Sequence, residues 1–146
     1  MSTRDDSTAS LLHLLHRAGQ CADELFAANI GESALTPRQY EVLKAVDATE
    51  DPSQTHLVEI TGIDRSTLAD IVRRLVERGV LARTRTRRDA RMYAVKLTSE
   101  GEAALKAAAP TVASTNARLT AGLSESDRDA VVRGLTQIIA SAKSDT

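Results

Sequence analysis

The sequence predicts a mainly α-helical chain carrying one small two-stranded β-hairpin. Ala and Leu are plentiful while aromatics make up only 2% of the 146 residues, a composition that favours helices over a β-sandwich. Apolar residues recur at spacings of three and four along most of the chain. Only between Leu81 and Leu97 does the period fall to two. With 42% hydrophobic residues a core can form, and the length suits one domain with or without helical extensions.

The first helix is expected to start near Ser7–Ala9 and run to about Ile30, with Leu11, Leu14, Leu15, Ala18, Ala22, Leu25 and Asn29 on one stripe and Gly31 as its stop. Thr36-Pro37 pairs an N-cap with a proline at the first helical position, so a second helix begins there. It presents Tyr40, Leu43 and Val46 inward and ends by Asp51-Pro52. Ser53 caps a short helix over Gln54–Thr61, and Gly62 makes a tight turn. Asp64 caps a further helix from Arg65 to about Arg78, closed by Gly79. The alternating segments Leu81–Thr86 and Met92–Leu97 then form a hairpin around the polar turn Arg87–Ala90. Thr98 caps a long helix with Leu105, Ala108, Val112 and Leu119 on a stripe; Pro110 kinks this helix without ending it, because the stripe stays in phase. Ser124 caps a last helix that lines up Val131, Val132, Leu135, Ile138, Ile139 and Ala142.

Several classes are excluded early. A single cysteine, Cys21, makes no internal disulfide, which suits a reducing cytoplasm. No apolar run reaches the ~18 residues of a membrane span. There is no phosphate loop, nucleophile motif or clustered carboxylate set, so no enzyme and no cofactor is expected. Asp47, Glu50 and Asp51 read as a solvated acidic helix end.

The net charge of −1 hides its distribution. Between Gly62 and Lys96 lie ten basic residues against four acidic ones, while the rest of the chain holds nine against sixteen. A basic middle between acidic ends is the footprint of a nucleic-acid-binding module on a scaffold that avoids the polyanion. On a helical wheel, Leu68, Ile71, Val72 and Leu75 share one side of the Asp64-capped helix. Ser66, Thr67, Asp70, Arg73, Arg74 and Glu77 share the other. Arginines and hydroxyls opposite a core stripe suit a major-groove reader. A short helix, a glycine turn, this capped helix and a basic hairpin together make a winged helix-turn-helix.

At these residues the sequence resembles the MarR (multiple-antibiotic-resistance regulator) family of winged-helix transcription factors. The resemblance rests on Leu35-Thr36-Pro37-Arg38-Gln39-Tyr40, Ile63–Leu68 and Leu75–Leu81. Its most specific part is Arg88-Asp89-Ala90-Arg91 followed by Val95-Lys96-Leu97-Thr98 and Gly101. The resemblance implies a homodimer that binds a pseudo-palindromic DNA operator as a repressor and is released by a small-molecule effector. It also implies that Asp89 pairs with Arg91 or another wing arginine and holds it for the minor groove. The expected DNA-binding residues are Arg65, Ser66, Thr67, Asp70, Arg73, Arg74, Arg85, Arg87, Arg88, Asp89 and Arg91. Family pockets lie between the dimerisation helices and the winged domain, where His16, Arg17, Gln20, Phe26, Arg38 and Tyr40 are the polar or aromatic groups. The implied organisation is a flexible N-terminus (1–8), a first dimerisation helix (9–34), the winged domain (35–98) and two C-terminal dimerisation helices (99–143).

Two alternatives stand beside this reading. One is a redox-sensing regulator acting through Cys21, set against a cysteine that merely packs as a small hydrophobe at the stripe's edge. The other is an architectural DNA-binding protein with no effector. A metal held by His13, His16 and Cys21 of one chain is excluded, because His13 and Cys21 are roughly 12 Å apart along a helix.

Overall fold

The computed structural model describes residues 10–29, 35–86 and 93–144. In chain order they form α1 (Leu11–Asn29), α2 (Pro37–Asp47), α3 (Gln54–Thr61), α4 (Arg65–Glu77), β1 (Leu81–Arg85), β2 (Tyr93–Leu97), α5 (Ser99–Leu119) and α6 (Glu125–Ser144). The expected N-terminal tail, the Gly31 stop and the turn residues Arg87, Arg88, Asp89, Ala90 and Arg91 lie outside the described residues.

Local chemistry sets the helix starts. Thr36 forms a full capping box with Gln39, each side chain bonding the other's backbone amide, and Pro37 occupies the first turn where no amide is needed. Ser53, Asp64, Thr98 and Ser124 each accept an amide hydrogen three residues on, from His56, Thr67, Gly101 and Asp127. Gly62 and Gly79 take left-handed backbone angles, φ 73° and 85°, which let the chain leave α3 and α4 sharply.

The core lies between α2, α3, α4 and the hairpin. Leu43, Leu57, Leu68, Val72 and Leu75 are fully buried there, and Ala108 of α5 covers one side. β1 and β2 pair antiparallel with Leu81 opposite Leu97 and Arg85 opposite Tyr93.

Three expectations need correction. First, α2 ends at Asp47, four residues short of the Asp51-Pro52 boundary. Asp51 turns with φ 46°, and the carbonyl of the buried Pro52 accepts the Val95 amide at 2.9 Å, so the chain after α2 belongs to the hairpin's edge. Second, the α1 stripe is only partly used. Leu15, Ala22 and Leu25 are half-buried, whereas Leu11 and Leu14 are open to solvent. Third, α5 buries Ala108 as expected but pairs it at seven-residue spacing with the small Gly101 and Thr115, while Leu105 and Val112 are half-buried and Leu119 is exposed. Small side chains let α5 lie close to its neighbours, and Thr115 satisfies its hydroxyl on the Thr111 carbonyl at 2.7 Å. α5 runs on through Pro110.

No described side chain of α6 is buried; Val131, Val132, Leu135, Ile138 and Ile139 all face solvent in the single chain.

Candidate nucleic-acid interface

Helix α4 is amphipathic, and its polar side is the exposed one. Leu68, Val72 and Leu75 anchor it, with Ile71 half-buried, while Ser66, Thr67, Arg73, Arg74 and Glu77 are open. The α3–α4 turn fixes its angle. The Gly62 amide bonds the Val58 carbonyl at 2.9 Å, and the Ile63 amide bonds the Thr61 hydroxyl at 3.2 Å.

At the start of α4, one carboxylate gathers the local donors. Asp64 accepts the Ser66 hydroxyl at 2.9 Å and both the amide and hydroxyl of Thr67. These bonds, led by the Thr67 amide, hold its pKa down at about 2. One turn on, Asp70 binds two arginines at once. Its Oδ1 takes Arg73 Nη2 and its Oδ2 takes Arg74 Nε at 2.9 Å, while Arg73 Nη1 reaches Glu77 at 3.0 Å. The Arg73 bond is the chief reason that the Asp70 carboxyl titrates below its ordinary range, and Asp70 in turn raises Arg73. Arg65 reaches back to the Thr55 hydroxyl of α3 at 3.5 Å.

On the hairpin, Arg83 and Arg85 are exposed, and the Arg85 guanidinium lies 5.9 Å from the centre of the Tyr93 ring. The expected wing-tip residues Arg87, Arg88, Asp89 and Arg91 fall outside the described residues.

The hairpin and α4 are tied to α5 at one junction. Thr98 donates its hydroxyl to the Gly79 carbonyl at 2.6 Å and accepts the Gly101 amide at 3.0 Å, and its own amide bonds the Val80 carbonyl at 3.2 Å. Gly101 packs directly on that carbonyl, leaving no room for a Cβ.

The residues expected around an effector do not form one group. Phe26 is buried, and its ring lies 6.2 Å from that of the half-buried Tyr40. Arg17 and Gln20 bond each other on the exposed surface of α1, where His16 is also exposed, and Arg38 is exposed on α2. Tyr40 also lines an open cleft of ≈ 260 Å³ between α2 and α5, with Lys44, Asp47, Glu102, Leu105 and Lys106. No sequence spacing pairs these α5 residues with Tyr40. Cys21 is exposed rather than packed as a small hydrophobe, since the stripe beside it is uncovered in the single chain. Among the described residues, no three His, Cys, Asp or Glu side chains cluster as a metal site, and no helix is long and apolar enough to cross a membrane.

Residues 35–92 match the MarR family model, a span that runs from the start of α2 into the hairpin. Similarity beyond that span is carried by solved structures. The repressor CouR, bound to a 23-mer DNA duplex, is 31% identical, and the match covers 95% of this chain and 99% of CouR at a TM-score of 0.84. The chain belongs to the MarR family. A second MarR-like structure, BpsR of Bordetella bronchiseptica, whose DNA binding is regulated by 6-hydroxynicotinic acid, is 31% identical. That match covers 88% of this chain and 97% of BpsR at a TM-score of 0.80. The HTH-type transcriptional repressor NicR of Pseudomonas putida KT2440 is 29% identical over 138 residues, 94% of this chain and 87% of NicR. MarR membership makes the chain a winged-helix transcriptional regulator, in a family of regulators and not of enzymes. The two-stranded sheet is the MarR wing, and α4 is the second helix of its helix-turn-helix.

Proposed function

We propose that the protein is a repressor that binds a pseudo-palindromic DNA operator as a homodimer and is released by a small-molecule effector. The observation that carries the reading is the exposed polar face of α4 beside a basic hairpin, in a chain that matches a DNA-bound repressor over nearly its whole length. In this reading Arg65, Ser66, Thr67, Asp70, Arg73 and Arg74 face the major groove. Arg85, Arg87, Arg88, Asp89 and Arg91 belong to the wing, which reaches backbone and minor groove.

Residues 35–98 form the DNA-binding domain, with 9–34 and 99–143 as dimerisation segments. The uncovered apolar faces of α1 and α6 support that division, because a second copy is what a two-fold dimer would lay on them. A dimer sets its two α4 helices in successive major grooves, roughly 34–36 Å apart.

An aromatic effector is the class proposed, since BpsR is regulated by 6-hydroxynicotinic acid and CouR binds p-coumaroyl-CoA; a small aromatic acid such as the former is the first to test. Tyr40 and Phe26 supply ring contacts, and Arg17 and Arg38 are cations near the same helices.

Footprinting on the DNA upstream of the protein's own gene and its neighbours tests the reading. Two protected half-sites one helical turn apart, lost on adding an aromatic acid, are expected. Equal binding of every duplex would leave an architectural protein instead.

A further inference from the structure

We infer that Asp70 is the specificity-setting residue of α4: it silences Arg73, aims Arg74, and leaves the wing to supply the sequence-independent pull on DNA. The inference rests on the DNA-binding reading above.

Helix α4 with its two caps holds four arginines, Arg65, Arg73, Arg74 and Arg78, and three acids, Asp64, Asp70 and Glu77. Its net charge is only +1. The segment from Leu81 to Leu97 holds six basic residues against Asp89 alone. The surplus of positive charge therefore resides almost wholly in the wing, although α4 carries the groove-reading face. Non-specific affinity follows the number of phosphates neutralised, so a helix whose charges nearly cancel contributes little to it.

The pairing geometry gives the two arginines different roles. Arg73 is bonded through both terminal nitrogens, one to Asp70 and one to Glu77. Arg74 is held only through Nε, so its two terminal nitrogens have no protein partner among the described residues. A guanidinium fixed at Nε and open at its fork has the arrangement that meets guanine O6 and N7 side by side. Its side chain is also the more open, 64% exposed against 53% for Arg73. Without the Asp70 carboxylate, Arg74 would lose its hold and Arg73 would keep Glu77 alone, leaving both freer to reach a nearby phosphate.

The full-length protein and its Asp70→Asn, Asp70→Glu and Arg74→Ala variants test this, using a randomised duplex library and one scrambled duplex titrated over a salt series. Asp70→Asn is expected to bind the scrambled duplex more tightly. Its salt slope should steepen by about one unit for each arginine set free. Its preference for the library-selected sequence over the scrambled one should fall at least about fivefold. Asp70→Glu, which keeps the charge within reach of both arginines, should restore the salt slope. Arg74→Ala should lose preference at particular base pairs. An Asp70→Asn protein that selects the same motif with the same slope overturns the inference, as does one that loses both duplexes equally. If the wild type selects no motif and shows no salt dependence, the DNA-binding reading falls first and this one with it.

Discussion

Asp64 takes both hydrogens that Thr67 has to give, its amide at 2.9 Å and its hydroxyl at 2.7 Å. The cap that starts α4 therefore also fixes the orientation of a side chain on the helix's exposed polar face. Its carboxyl titrates at about 2 in the fold against an ordinary 3.8, so the folded form binds fewer protons than the unfolded one. Its contribution to stability is complete above the ordinary value and is lost as the pH falls through 2. Asp64→Ala should lower the urea midpoint at neutral pH, by a difference that shrinks as the pH falls from 3.8 through about 2. A constant difference across that range would show that the cap is not acting as a carboxylate.

Glu41 should behave in the opposite sense. Partial burial of its carboxyl, reinforced by Asp23 and opposed by Arg38, pushes its pKa above the ordinary 4.5. Ionising it disfavours the fold, and this penalty is full above the raised value and vanishes as the pH falls below 4.5. Glu41→Gln should therefore melt higher than wild type at neutral pH, with the two curves meeting in mild acid. Equal melting at both would place the carboxyl in free solvent.

Gly101→Ala should destabilise the protein by about 1–3 kcal/mol, the usual cost of overpacking. The added methyl would collide with the Val80 carbonyl, which is backbone and already bonded to the Thr98 amide. Chemical denaturation measures it, and an unchanged midpoint would mean that α5 stands off the hairpin.

Assembly should depend on α6. Leu135 and Ile139 are exposed in the single chain, at 40% and 59%. Replacing both with Asp would place charges in the proposed seam and should yield monomers or unfolded chains in sedimentation runs. A wild-type monomer at micromolar concentration would contradict the dimer outright.

At the wing, Asp89→Ala should weaken binding to the selected sequence while leaving scrambled duplex level or slightly better bound. The family resemblance implies that Asp89 orients a wing arginine, most simply Arg91, which would then lose its aim. Strictly additive effects in a cycle with Arg91→Ala would show that the two do not act as a unit.

Much of this was legible from local chemistry. The caps Thr36, Ser53, Asp64, Thr98 and Ser124 read correctly because a cap needs only its own next three residues. The end of α2 did not, since it is decided by the Pro52 carbonyl meeting the Val95 amide more than forty residues away. The α5 stripe was right at Ala108 and misled elsewhere for a related reason: close approach also selects Gly101 and Thr115, whereas hydropathy points to leucines. On the candidate interface, the exposed face of α4 was readable from its period. The internal pairing of that face was signalled by acids three and four positions from arginines, a spacing that also fits a simple solvated surface.

Thr98 grips the end of α4 through the Gly79 carbonyl and the start of α5 through the Gly101 amide. The two helices therefore travel together. In the proposed dimer, any displacement of α5 is passed undiminished to the spacing between the two α4 helices, which DNA counts in steps of roughly 3.4 Å per base pair. A shift no longer than a side chain would leave each half of the protein one rung out of step with the operator.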